Sequence, residues 1–182
     1  FRAINSAVRV SALHAESPRF KSVIAHLINK NKKSIMEKLY KLLSDAQSSL
    51  FVLFHKTWAF HWNVVGEDFT QLHQLFGGQY ETMFEEVDRL AEHMRYFNIK
   101  PVSTLTRITE VTLIDQASNS AQGVDDKMMI DQLLSDNQKL ISVLTDISKE
   151  AETQNQYATA NLVQDLMESH GKFVWQLRSH LQ

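Results

Sequence analysis

The chain has 182 residues, a length typical of one domain, and its apolar share of 43% is ordinary for a globular protein. Five glycines and two prolines leave little room for a turn-rich β fold, and the absence of cysteine excludes disulfides and thiolate chemistry. Any metal must then be held by imidazole and carboxylate groups, which suits iron, manganese or zinc. The longest apolar stretch, near Leu50–Phe54, is far too short to cross a membrane, so no membrane association is expected.

Charge is distributed unevenly along the chain. Residues 1–36 carry seven basic side chains and one acidic one, a net +6, so the overall charge of −2 leaves −8 for the remainder. A basic segment of this kind can hold an anionic polymer, can be the remainder of a targeting presequence, or can be a solvated tail. Because the chain starts with Phe1, we expect that something precedes it or was removed. These alternatives stay open for residues 1–33, which we interpret as a basic N-terminal extension.

The first half of the chain shows helical periodicity. Pro18, followed by a short apolar stripe, predicts a minor helix over about 18–30. Apolar residues at spacings of three and four then predict a long amphipathic helix over about 34–64 that ends at Gly66. The same spacing predicts another long helix over about 68–97.

A glycine pair and a long connection interrupt the later pattern. Gly77 and Gly78 lie inside the second long helix, where such a pair indicates a close helix approach or a local kink. Residues 98–123 form a connection long enough to cross a bundle, and we expect a short helix near Ile108–Ile114. Two further long helices follow, the first starting at Asp125-Asp126. The predicted fold is therefore all-α, a four-helix bundle over 34–182 with one long crossover and a short N-terminal helix.

Four polar residues of the first two long helices form a candidate metal site: His61, His73, Asp88 and Glu92. Taken singly, each has an ordinary structural explanation. Asp88 and Glu92 share one helix face, and the two histidines flank one tight turn, where they can converge. His73 precedes Asp88 by fifteen residues, which is about 22 Å along a straight helix, whereas metal–ligand bonds are about 2 Å long. The two pairs therefore serve different purposes, or a second copy of the chain completes the site across a two-fold axis.

The run from His61 to Gly66, followed by Phe69, Leu72-His73, Asp88 and Ala91-Glu92, resembles the signature of the Dps family. These proteins are also called DNA-binding proteins from starved cells, or mini-ferritins. The resemblance covers about 34–182 and implies ferritin-like bundles assembled as a dodecameric shell. It further implies di-iron ferroxidase sites at two-fold interfaces, with His61 and His73 from one subunit and Asp88 and Glu92 from its neighbour.

The same resemblance implies a function. Iron(II) would be oxidised, preferentially by hydrogen peroxide, and stored as ferric mineral in the shell, which protects against oxidative stress. We expect zinc as a substitute for iron at these sites. The basic extension would be the part that binds DNA. We expect a cytoplasmic protein, with nucleoid association or organelle targeting as alternatives. The alternative function is a shell-forming, DNA-binding and protective protein with a weakened ferroxidase site.

One departure from the family pattern concerns the second iron. Family members commonly have a carboxylate four residues after the second histidine, and this chain has Gly77 there. We expect that loss to weaken the second iron position, with Glu81 as the candidate for compensation. Glu81, Glu85 and Glu86 are also candidates for seeding mineral, or else form an ordinary charged helix face. His170, which interrupts the last apolar stripe, is expected in the core or at an interface.

Overall fold

The structure is a computed structural model that describes residues 18–116 and 125–181, without the side chains of residues 19, 20, 24 and 27–35. Within these ranges the chain is helical and has no strand, which confirms the predicted all-α class. The helices are α1 (Pro18–Asn63), α2 (Phe69–Tyr96), α3 (Leu105–Val111), α4 (Asp126–Thr153) and α5 (Tyr157–Ser179). None of the helices in the described ranges has an apolar stretch long enough to span a bilayer.

The predicted separation of a minor helix over 18–30 from a long helix over 34–64 is wrong, because α1 covers both ranges. Neither glycine nor proline occurs between Pro18 and Gly66, and the polar residues 31–34 each cost less than about 1 kcal/mol in a helix. The chain divides into two compact units after Lys38, and the bundle described below belongs to the second unit.

A tight turn over residues 64–68 joins α1 to α2. Gly66 adopts φ +110°, a left-handed conformation that favours glycine, and its carbonyl accepts a hydrogen bond from the Phe69 N–H at 3.3 Å. A Cβ added at Gly66 would lie 3.4 Å from Asp126 Oδ2, so the start of α4 lies against this turn. Burial raises the pKa of Asp126, and the neighbouring charges of Asp68 and Asp125 raise it further.

Side-chain contacts across the bundle fix the relative directions of the helices. For each pair of helices, residues in the later part of one helix contact residues in the earlier part of the other. The pairs α1 and α4, α2 and α5, and α4 and α5 therefore run antiparallel. The side-chain hydrogen bonds are Lys56 with Asp136, Gln79 with Gln176, His93 with Thr159, Asn137 with His170 and Ser148 with Gln164. Gly66, just after α1, lies beside Asp126 at the start of α4.

The long crossover is confirmed and runs along α1. Gln47 exchanges hydrogen bonds with the Val102 backbone at 3.1 and 3.2 Å, and Ser49 Oγ accepts from the Leu113 N–H at 2.9 Å. The short helix within the crossover is α3, which begins at Leu105, three residues earlier than predicted. The crossover thus brings the chain to the opposite end of the bundle, where α4 starts.

The interior between α1, α2, α4 and α5 is mostly aliphatic. Each fully buried large apolar side chain contributes roughly 1.5–3 kcal/mol, so the core holds the helices in register. Its largest fully buried members include Phe60, Phe76, Leu53, Met83, Leu90 and Leu133. Several polar side chains are buried in the same unit: Lys56, Glu86, Asp136, Asn137 and His170.

Candidate metal centre

The two candidate histidines meet across the turn between α1 and α2. His61 lies in the last turn of α1 and His73 near the start of α2, and their rings stack with centroids 3.7 Å apart and planes 22° apart. Nδ1 of His61 is 2.7 Å from the His73 carbonyl oxygen, and Nδ1 of His73 is 2.9 Å from the His61 carbonyl oxygen. A carbonyl only accepts, so each Nδ1 carries the hydrogen. In the neutral rings this leaves both Nε2 lone pairs available for metal binding, the arrangement that metal-ligating histidines use.

Gly77 packs beneath the His61 ring. A Cβ at this position would lie 3.4 Å from Cε1 and Nδ1 of His61, which is ordinary van der Waals contact, whereas Gly78 is exposed and faces open space. Helix α2 continues through both residues. Gly77 therefore marks a close approach of α2 to His61, at a distance that a Cβ would just fill.

Two aromatic side chains contact the histidine pair, although neither was predicted to be a site residue. Phe69 stacks on His73 with centroids 5.0 Å apart, and Tyr80 meets His61 edge-on at 5.1 Å. Their spacing offered a signal, because Phe69 lies four residues before His73 and Tyr80 seven after it, positions that share a helix face. These rings restrict the orientation of both imidazoles.

The carboxylates of the predicted site lie elsewhere on the same chain. Asp88, Glu92 and Glu81 are exposed on α2, and the helix rise puts Asp88 about 22 Å beyond His73. Among the described residues of one chain, no three His, Asp or Glu side chains are gathered so that they could hold a metal ion. The structure thus brings the two histidines together and leaves the acids apart from them.

An exposed aromatic surface adjoins the histidine pair. We define the aromatic face as Phe54, Trp58, Trp62, Tyr80 and Phe84, which form a continuous series of ring contacts 4.4–6.4 Å apart. Trp62 is 56% and Phe84 58% exposed. Phe54, Trp58 and Tyr80 are half-buried, so the exposed part of this face is formed mainly by Trp62 and Phe84. It lies on α1 and α2, the helices that carry all four predicted ligands.

Burial changes the interpretation of Glu86 and His170. Glu86 is only 7% exposed and its carboxylate lies 3.2 Å from His170 Nε2, so it is not part of a charged surface face. His170 is fully buried, which confirms the core alternative. His93 is also buried and contacts Thr159 Oγ1 at 2.9 Å; burial lowers the pKa of His93, and the Arg89 charge lowers it further.

Comparison with known proteins places the chain in a family. The model of the ferritin-like domain matches residues 40–182. A low temperature-induced protein of Nostoc sp. is 30% identical over 160 residues, covering 86% of this chain and 84% of that protein. The DNA protection during starvation protein of Helicobacter pylori is 28% identical over 144 residues, covering 79% and 99% of the two chains.

Solved structures give the same result. A Dps protein from Bacillus brevis superimposes with a TM-score of 0.77 at 28% identity, covering 82% of this chain and 98% of that one. Dps from Thermosynechococcus elongatus has the same fold, with a TM-score of 0.78 at 24% identity and coverage of 82% and 93%. The chain therefore belongs to the Dps family of ferritin-like proteins.

Proposed function

We propose that this protein oxidises iron(II) at sites shared by two copies of the chain and stores ferric mineral inside a dodecameric shell. His61 and His73 of one subunit would bind the iron together with Asp88 and Glu92 of the neighbour. Membership of the Dps family supports iron storage in general. The shared site, the shell and a preference for hydrogen peroxide are the specific content of the proposal.

The histidine pair is the observation that carries the proposal. Two imidazoles stacked 3.7 Å apart, each with Nδ1 bound to a carbonyl, have both Nε2 atoms ready for ligation. The distance along α2 prevents the acids of the same chain from joining them. An antiparallel neighbour packed on the aromatic face would bring its own α2 acids to the histidines, and the two-fold axis would create two identical sites.

The donor set fits iron as the substrate. Fe²⁺ accepts mixed imidazole and carboxylate ligands. Anionic carboxylates stabilise Fe³⁺ relative to Fe²⁺, so Asp88 and Glu92 would favour the loss of an electron. Two Fe²⁺ ions, one peroxide molecule and two protons give two Fe³⁺ ions and two water molecules. A pair of irons at one site therefore reduces peroxide completely without releasing a hydroxyl radical.

Subunit mixing tests the shared site directly. One variant lacks both histidines (His61→Ala with His73→Ala) and the other lacks both acids (Asp88→Ala with Glu92→Ala). In a mixed pair, one site has all four ligands and the other has none. Random assembly of equal amounts makes half of the pairs mixed, so we expect about a quarter of the parent oxidation rate per subunit.

The controls separate a shared site from one within a single chain. Each variant assembled alone, and the two assembled separately and then combined, should stay inactive. Size-exclusion chromatography and circular dichroism establish that every sample is folded and assembled. If the mixed assembly is as inactive as each variant alone, the proposal is contradicted. A site built within one chain would give that result, because neither variant has all four ligands.

Replacing Gly77 tests the expected weakness of the second iron position. The space beneath His61 admits a Cβ, so Gly77→Asp should supply the carboxylate that family members commonly have. We expect anaerobic calorimetry to find one tightly bound Fe²⁺ per site in the parent and two in Gly77→Asp, with the second affinity raised at least about tenfold. Gly78→Asp, on the exposed neighbouring position, is the matched control and should resemble the parent. If the parent already binds two Fe²⁺ ions tightly per site, another acid replaces the carboxylate missing at position 77, and Glu81 is the first candidate.

DNA binding and location remain predictions. Residues 1–17, which include part of the basic extension, lie outside the described residues, and the acidic remainder of the chain disfavours DNA. Binding through residues 1–33 would be independent of sequence and would fall steeply with salt. We also expect a cytoplasmic location. The alternative function is a DNA-binding, protective shell with a weakened ferroxidase site.

A further inference from the structure

A buried polar cluster joins three helices inside the bundle, apart from the histidine pair. It consists of Glu86 on α2, Asn137 on α4 and His170 on α5, which are 7%, 0% and 0% exposed. Glu86 lies only two residues before Asp88, but two residues turn a helix by about 200°, so the two side chains leave α2 on opposite sides. Accordingly Asp88 is exposed, whereas Glu86 points towards the core.

The hydrogen bonds of Asn137 determine which nitrogen of His170 is free. Asn137 Nδ2 donates to the Leu133 carbonyl oxygen at 2.7 Å, and therefore its Oδ1 faces His170 Nδ1 at 2.5 Å. An amide oxygen only accepts, so Nδ1 of His170 carries the hydrogen. In the neutral ring, Nε2 of His170 then presents its lone pair towards Glu86. A histidine held through Nδ1 in this way has the orientation and tautomer of a metal ligand.

The facing atoms of Glu86 and His170 have the spacing of two ligands on one ion. Oε2 of Glu86 lies 3.2 Å from Nε2 of His170, and among the described residues neither atom has a hydrogen-bond partner of good geometry. Two ligand atoms, each about 2.1 Å from an ion and roughly 100° apart, are separated by about 3.2 Å.

We propose that Glu86 and His170 bind a divalent first-row transition ion inside each subunit, independently of the shared site. Imidazole nitrogen with carboxylate oxygen is a donor set that such ions accept, and water would complete the coordination. Asn137 positions the imidazole. The ion would link α2 to α5 and would be held even when the shared site is removed.

Zinc and cobalt titration of a variant that lacks the shared site tests this assignment. In His61→Ala with Asp88→Ala, calorimetry should find about one Zn²⁺ bound per chain, and Co²⁺ should give a visible absorption band. Adding His170→Gln or Glu86→Gln should weaken Zn²⁺ binding at least about tenfold and remove the cobalt band. His93→Gln is the matched control, a buried histidine elsewhere on the same helix pair, and should leave both signals unchanged.

The test remains decisive if one variant folds poorly. Glu86→Gln preserves the shape of the side chain, and the Zn²⁺-dependent rise in melting temperature provides a second readout, expected in the background variant and absent after Glu86→Gln. Equal Zn²⁺ affinity, cobalt spectrum and melting shift with and without His170 and Glu86 would overturn the proposal. The pair would then share a proton only, as a buried structural contact.

Discussion

Asp88→Ala is expected to slow the oxidation of Fe²⁺ by peroxide at least about 100-fold while the shell stays intact. Residues that merely support a metal ligand typically change affinity or activity 10–100-fold when they are replaced, so loss of a direct ligand should exceed that range. Asp88 is exposed on α2 of the single chain, and substitutions at exposed positions usually change the free energy of unfolding by no more than about 0.5 kcal/mol. The expected effect is therefore catalytic and not structural.

The measurement is an anaerobic stopped-flow experiment in which peroxide is the only oxidant. Asp131→Ala, an exposed acid on α4, is the matched control and should oxidise iron at the parent rate. Size-exclusion chromatography follows the assembly of each variant. A parent-like rate in Asp88→Ala would place the oxidation site elsewhere, and dissociation of the shell would identify Asp88 as an interface residue.

The sequence predicted the bundle because its helices are long, strongly periodic and clearly bounded. Gly66 and Asp125 illustrate this, since one ends up in the left-handed turn between α1 and α2 and the other caps α4 by accepting from the Met128 N–H at 2.7 Å. The start of α1 was predicted less well. Periodicity lapses around residues 31–34, but polar residues can continue a helix when neither glycine nor proline interrupts it.

The convergence of His61 and His73 at the turn was predictable from the sequence, but the arrangement of their rings was not. Helix rise already separated His73 from Asp88, and the structure leaves that separation in place. The reciprocal bonds from each imidazole to the carbonyl of the other histidine could not be predicted, because they depend on how α1 and α2 are offset at the turn. The burial of Glu86 was overlooked because it stands next to exposed acids in the sequence. Glu86 lies seven residues from both Gln79 and His93, and all three side chains are buried on the same face of α2.

The buried ion pair between α1 and α4 gives the second large expected effect. Lys56 Nζ lies 2.5 Å from Asp136 Oδ2, with side chains only 3% and 5% exposed, and the half-exposed Lys139 reaches the other carboxylate oxygen at 3.4 Å. Removing one member of a buried pair typically costs about 3–5 kcal/mol, because it leaves the other charge desolvated without its partner. We expect Asp136→Leu to lower the free energy of unfolding by about that amount.

Comparing the destabilisation caused by each single substitution distinguishes the cost of an unpaired buried charge from the cost of a lost contact. Lys56→Met should cost less than Asp136→Leu, because Lys139 still faces the remaining carboxylate. The double variant should recover most of the loss, since an apolar pair of similar volume fills the site without a desolvated charge. Urea unfolding at fixed protein concentration measures the change in the free energy of unfolding. The control is Lys149→Met, which removes an exposed ion pair in which Lys149 Nζ lies 4.0 Å from Asp146 Oδ1. If the losses of the two single variants add up in the double variant, packing determines the loss of stability and the unpaired charge does not. The coupling energy calculated from the parent, the two single variants and the double variant decides between these explanations.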